Sequence, residues 1–113
     1  MQEPTLLLLT ALADEPRHGY ALIQEVGVIS GGRVRLRTGT LYSALDRLQR
    51  EGLIQVEREE VVDGRARKVY ALADPGRAAL AEEQERLRVV VAEIERRTAA
   101  ARRPLARLKG VTA

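Results

Sequence analysis

The sequence predicts a mainly α fold with one small β-hairpin, in the element order αααββα. Three observations predict it. Apolar residues recur at helical spacing in three segments of the first fifty positions. An Asp63-Gly64 turn separates two short alternating runs. An Asp74-Pro75 start signal precedes leucine and isoleucine at intervals of seven.

The first helix opens near Pro4, a residue suited to a first helical turn. Leu6, Leu7, Leu8, Leu9, Ala11 and Leu12 make it apolar nearly all round to about Asp14, which suits the middle of a fold. Pro16 breaks it by pushing the residue before it out of the α region. The second helix starts near His18-Gly19, with Tyr20, Ile23 and Val26 at helical spacing, and ends at Ser30-Gly31-Gly32. Residues 33–37 alternate polar and apolar and are expected to be extended or a short strand. Thr38 is the expected N-cap of the third helix. There Leu41, Leu45 and Leu48 form one buried stripe, while Thr40, Ser43, Ala44, Arg47 and Arg50 lie on another face. Gly52 ends it. Leu53, Ile54 and Val56 open the first hairpin strand, and Lys68, Tyr70 and Leu72 alternate on the return. Asp74 and Pro75 are expected as N-cap and first residue of the last helix, whose seam is Leu80, Leu87 and Ile94 filled in by Val90 and Val91. Pro104 is expected to end or kink it.

Helix, helix, helix, hairpin and long helix describe a winged helix-turn-helix carried on a C-terminal helix. The division expected is 1–73 for the winged unit and 74–113 for a dimerisation helix and basic tail.

Composition narrows the function. With 113 residues there is one domain and an appended element. Cysteine is absent, which excludes disulfides, thiolate catalysis and cysteine zinc sites. His18 is the single histidine, so a metal centre is not expected; it reads as a helix cap or a DNA-backbone contact. No cofactor is expected, no nucleophile–base–acid arrangement or phosphate loop is present, and the chain does not read as an enzyme. The apolar run at residues 6–9 is too short for a signal segment or membrane span, so a cytoplasmic protein with no membrane partner is expected. Net charge is +3 with pI near 9.8. Residues 33–68 carry nine basic against six acidic side chains, as do residues 74–113, which leans toward a polyanionic partner.

Four blocks are more specific than these patterns. They are His18-Gly19-Tyr20-Ala21-Leu22, the run Gly39-Thr40-Leu41-Tyr42-Ser43-Ala44-Leu45-Asp46-Arg47-Leu48, Glu51-Gly52-Leu53-Ile54, and Gly64-Arg65-Ala66-Arg67-Lys68-Val69-Tyr70-Ala71-Leu72. In this order they strongly resemble the PadR family of transcriptional regulators, from about Leu6 to Leu80. Thr38 stands where the family often has proline. The resemblance implies a homodimer joined through the last helix, double-stranded DNA as partner, and usually repression.

Within that frame the third helix is the reader, since a helix fits the major groove. Thr38 and Thr40 lie at its start, where a phosphate is favoured. Thr40 and Ser43 offer hydroxyls and Ala44 a methyl. Arg47 reads as a guanine contact, a phosphate clamp or an exposed salt bridge. Tyr42 fills core space, meets phosphate as the resemblance suggests, or does both. Tyr20 is balanced between core and DNA contact, and Tyr70 reads as core. In the wing, Gly64 lets backbone approach a duplex, while Arg65, Arg67 and Lys68 grip phosphate or enter the minor groove. One or more of Arg33, Arg35 and Arg37 meets phosphate. Arg96, Arg97, Arg102, Arg103, Arg107 and Lys109 form an acid-free stretch that reads as the exposed helix end in preference to a tail with its own role. A small-molecule effector, if release of repression uses one, would sit in a dimer cleft between the first and last helices. The competing expectation is a winged helix used as a protein-interaction module that binds no specific DNA sequence.

Overall fold

The structure, a computed structural model, describes residues 1–102. The elements are α1 (Glu3–Ala11), β1 (Arg17–His18), α2 (Gly19–Ile29), α3 (Thr38–Arg50), β2 (Ile54–Val62), β3 (Arg65–Leu72) and α4 (Asp74–Ala101). They form a compact unit over Met1–Glu83 and a second unit from residue 84 onward.

In the first unit α1 is central, as its uniform apolarity predicts. Leu8 and Leu9 are completely buried, and Pro4 occupies its first turn. The helix stops at Ala11, three residues before the predicted Asp14. The Arg17 side chain reaches back and donates through Nε to the Ala11 carbonyl at 2.9 Å. The core is aliphatic apart from Tyr70, with Leu12, Leu22, Val26, Leu41, Leu45 and Leu48 all sealed from solvent.

His18 caps α2: its Nδ1 accepts from the Ala21 N–H at 3.3 Å. At the other end Gly31 turns left-handed at φ +63°, which lets the Gly32 N–H reach the Gly27 carbonyl at 2.7 Å. Residues 33–37 form no strand. Val34 and Leu36 pack on the core, and the Ser30 hydroxyl accepts from the Val34 N–H at 3.0 Å, which holds the segment extended.

The predicted Thr38 cap is corrected. Arg37 is the capping residue, with extended backbone at φ −82° and ψ 155° and no side-chain cap, and Thr38 already lies within α3. The Leu41 N–H bonds the Arg37 carbonyl at 2.9 Å, so the helical ladder starts one residue earlier than the side-chain preference suggested. Gly52, at φ +74°, closes the far end as predicted, with Leu53 N–H on the Leu48 carbonyl at 3.0 Å.

The predicted two-stranded hairpin is one part of a three-stranded antiparallel sheet of order β1-β3-β2. β1 adds Arg17 opposite Tyr70 and His18 opposite Val69. Two residues carry no alternation to read, and only the approach of β3 makes them a strand. Between β2 and β3, Asp63 at φ +53° and Gly64 at φ +76° form the two-residue turn that the sequence signals. A bulge at Glu57 shifts the register between the Val56–Tyr70 and Arg58–Val69 pairs, separating the core-facing base of the wing from its solvated tip.

The first turns of α4 belong to this unit: Gly76 is buried and Leu80 packs against the core. In the second unit, Leu87 is half-buried, while Val89, Val90, Val91 and Ile94 are exposed on a helix braced by Arg88–Glu85 and Arg97–Glu93 ion pairs. Pro104 and the basic residues Arg103, Arg107 and Lys109 lie outside the described residues.

Candidate nucleic-acid interface

The geometry of α3 follows from its leucines. Leu41, Leu45 and Leu48 have no exposed surface, so the opposite side of the helix faces solvent. At 3.6 residues per turn that side is Gly39, Ser43, Asp46 and Arg50, all exposed. Thr38, Thr40 and Tyr42 flank it and are exposed as well. Ser43, Asp46, Gln49 and Arg50 line a shallow concavity. Two expected outward residues are placed differently. Ala44 is half-buried against the core, because it follows the Leu41–Leu48 side around the helix. Arg47 is half-buried on the flank: it donates through one guanidinium nitrogen to the Thr5 hydroxyl at 2.7 Å and pairs with Glu51 at 3.2 Å. Gly39, Asp46 and Arg50 carry no motif that marks them as site residues in the sequence. Stepping round the helix from the leucine stripe would have found them.

Tyr42 leans across to the start of α2. A Cβ built at Gly19 would stand 2.5 Å from the Tyr42 hydroxyl oxygen and 3.0 Å from Cζ, so glycine at position 19 is what admits the ring. Tyr42 keeps 44% of its surface exposed and Tyr20 keeps 66%, whereas Tyr70 is buried at 3% as expected. Burial pushes the Tyr70 phenol above its ordinary pKa, and the nearby Tyr42 and Asp46 act in the same direction.

The basic side chains sort into paired and unpaired sets. Arg33 pairs with Glu3. Arg17 bonds Asp14, Glu15 and Glu25. Arg67, half-buried in the wing, pairs with Glu60 at 3.2 Å, and Arg58 reaches the same carboxylate at 2.9 Å. These two guanidinium groups hold the Glu60 carboxyl below the usual range. Arg35, Arg37, Arg50, Arg65 and Lys68 are exposed and form no ion pair among the described residues. They lie on the lead into α3, on its last turn and along β3, with Gly64 exposed at the wing tip. Of the wing cations named from sequence, Arg65 and Lys68 are therefore free to meet a polyanion, while Arg67 is held by its own hairpin.

Among the described residues no three His, Asp or Glu side chains converge as metal ligands, and no helix is long and apolar enough to cross a membrane.

Residues 8–82 match the family model for the transcriptional regulator PadR-like family. The transcriptional regulator Rv3488 of Mycobacterium tuberculosis is 43% identical over 89 residues, 79% of either chain. A PadR family regulator of Clostridium difficile has a similar fold, with TM-score 0.71 and 23% identity over 84% of this chain and 97% of that one. Bacillus subtilis PadR, solved in complex with operator DNA, has TM-score 0.66 and 22% identity over 74% of this chain and 47% of that one. With the family model covering the whole wing and the third helix, and a close relative along most of its length, this chain belongs to the PadR-like family of transcriptional regulators and is not an enzyme.

Proposed function

We propose that the chain is a homodimeric repressor that binds an inverted-repeat operator in double-stranded DNA. The observation that carries the reading is the exposed polar stripe of α3, fixed by fully buried leucines and accompanied by five unpaired cations. In this reading α3 enters the major groove. Thr38 and Thr40 approach phosphate through the helix N-terminus, and Ser43 reaches base edges. Arg35, Arg65 and Lys68 neutralise phosphates, with Gly64 giving the wing close approach. Tyr42 and Tyr20 present hydroxyls at the front of the motif. Arg47 contributes by orienting the helix against Thr5 as well as by any phosphate it meets.

A second copy of the chain covers the apolar face of α4 made by Leu87, Val90, Val91 and Ile94. Leu80 stands at the start of the same seam and also packs on the core of its own unit. The division into a DNA-binding part, 1–73, and a dimerisation part, 74–113, follows the same logic. Half-sites are then separated by about one helical turn, roughly 10 bp, or a multiple of it.

Fluorescence anisotropy on duplexes from the gene's own upstream region tests this. Binding tighter than to random DNA at moderate salt is expected, with a steep loss as salt rises. For the double variant Arg65→Ala/Lys68→Ala the slope of log affinity against log salt should flatten by about 3.6, since each of the two protomers loses two phosphate contacts at about 0.9 apiece. Equal affinity for all duplexes would instead favour a protein-interaction module.

A further inference from the structure

The exposed stripe of α3 contains a charge of the wrong sign for a surface that meets phosphate. Asp46 is the only acidic residue in the helix. It is exposed, and it forms no hydrogen bond or ion pair among the described residues. Arg50 follows at i+4, the spacing at which a helical carboxylate ordinarily meets a cation, yet the two stay apart. Elsewhere the chain does pair such neighbours: Arg47 with Glu51 at 3.2 Å and Arg97 with Glu93 at 2.7 Å. Tyr70 lies close to Asp46, but its hydroxyl is not hydrogen-bonded to it. Nothing within the fold therefore occupies this carboxylate.

An unoccupied carboxylate against a duplex lowers affinity for DNA in general, because it repels every phosphate near it. It is compensated only where the groove offers a donor. In the major groove the cytosine N4 amino group is such a donor, and a carboxylate accepts from it. On this basis, and resting on the DNA-binding reading above, we infer that Asp46 is a specificity-determining residue: it accepts from cytosine N4 at one G·C pair of each half-site and disfavours guanine or thymine in the cytosine's place, whose major-groove edges offer it acceptors alone. Asp46 then contributes discrimination at the cost of general affinity, the reverse of Arg65 and Lys68.

The test is selection of bound duplexes from a random pool by the full-length protein, by Asp46→Asn and by Asp46→Ala. Anisotropy titrations on the selected site, its single-base-pair variants and a fixed random duplex then follow. The wild-type protein should require C at one position of each half-site, with about 5- to 10-fold loss for other bases. Asp46→Ala should lose that preference while binding the random duplex more tightly. Asp46→Asn should move it toward A, whose N6 and N7 suit an amide. Unchanged base preferences in both variants, with the wild-type protein still selecting a site, overturn the role of Asp46 alone. A uniform loss of affinity on all duplexes overturns it too, since that marks a structural or phosphate-contact residue. If the wild-type protein selects no sequence, the DNA-binding reading falls and this inference with it. Both variants are surface changes, so their melting temperatures should stay within about 2–3 °C of the parent.

Discussion

Two helical glycines of this chain have opposite surroundings, and alanine at each should move stability in opposite directions. Gly76 sits in the first turn of α4, over the turn that follows α3. A Cβ there would stand 2.0 Å from the Leu53 carbonyl oxygen, 2.8 Å from Leu72 Cδ1 and 3.0 Å from the Leu53 carbonyl carbon. Two of these three atoms are backbone, and the same carbonyl accepts from the Ala73 N–H at 3.0 Å. Relief requires α4 to shift by more than an ångström from Leu53, straining or breaking that hydrogen bond. Overpacking against backbone costs about 3 kcal/mol, and a weakened hydrogen bond adds about 1 kcal/mol. Alanine's better helix propensity returns about 1 kcal/mol, which leaves Gly76→Ala less stable by about 3 kcal/mol. Gly27, in the last turns of α2, meets nothing within 4 Å of a built Cβ, so only the propensity effect applies. Gly27→Ala should gain about 0.5–1 kcal/mol. For a domain of this size 1 kcal/mol corresponds to roughly 4–8 °C, so melting should fall by at least about 12 °C in the first variant and rise by about 2–8 °C in the second. Circular dichroism melts at one fixed protein concentration read both, since melting of an oligomer depends on concentration. A Gly76→Ala protein that melts with or above the parent would refute the close approach of α4 to Leu53. A Gly27→Ala protein as damaged as Gly76→Ala would refute the packing distinction.

Three further outcomes are expected. Gly19→Ala displaces the Tyr42 ring from the start of α2; because the clashing atoms are the tip of an exposed side chain, stability should fall by less than about 1 kcal/mol while operator affinity falls several-fold, read by anisotropy beside a melt. Burial holds the His18 imidazole below its ordinary value of about 6.5, with Arg67 acting the same way and Glu60 opposing. The neutral ring that caps α2 therefore contributes stability that is full above pH 6.5 and is lost as pH falls through the lower folded value. Urea midpoints between pH 7.5 and 5 should decline more in the parent than in His18→Asn, and parallel curves would remove the histidine from the account. Val90→Glu/Ile94→Glu should convert the protein to a monomer in sedimentation with an unchanged winged unit by circular dichroism, and a dimer that survives both changes would place the interface elsewhere.

Much of the architecture was legible because it depends on local rules. The leucine spacing of α3 predicted its buried side, and that side was sealed in the folded chain. Asp63-Gly64 demanded two left-handed residues and forms them. Gly31 and Gly52 end their helices for the same backbone reason. The site was less legible. Thr38 has the side chain that favours the cap of α3, but the chain turns one residue earlier at Arg37, where no side-chain oxygen is involved. Arg47 and Arg65 look alike in sequence; one is tied to Thr5 and Glu51, the other is unpaired.

By itself the sequence determined the order of the four helices and the wing hairpin, the aliphatic core, the turns and the family to which the chain belongs, because periodicity and left-handed turn residues act over a few positions. Only the tertiary structure decided that β1 joins the sheet, that Gly76 must admit the Leu53 carbonyl, and which arginines lack a carboxylate partner. Each of those depends on which atoms distant in sequence come within a few ångströms, and no local pattern encodes that distance.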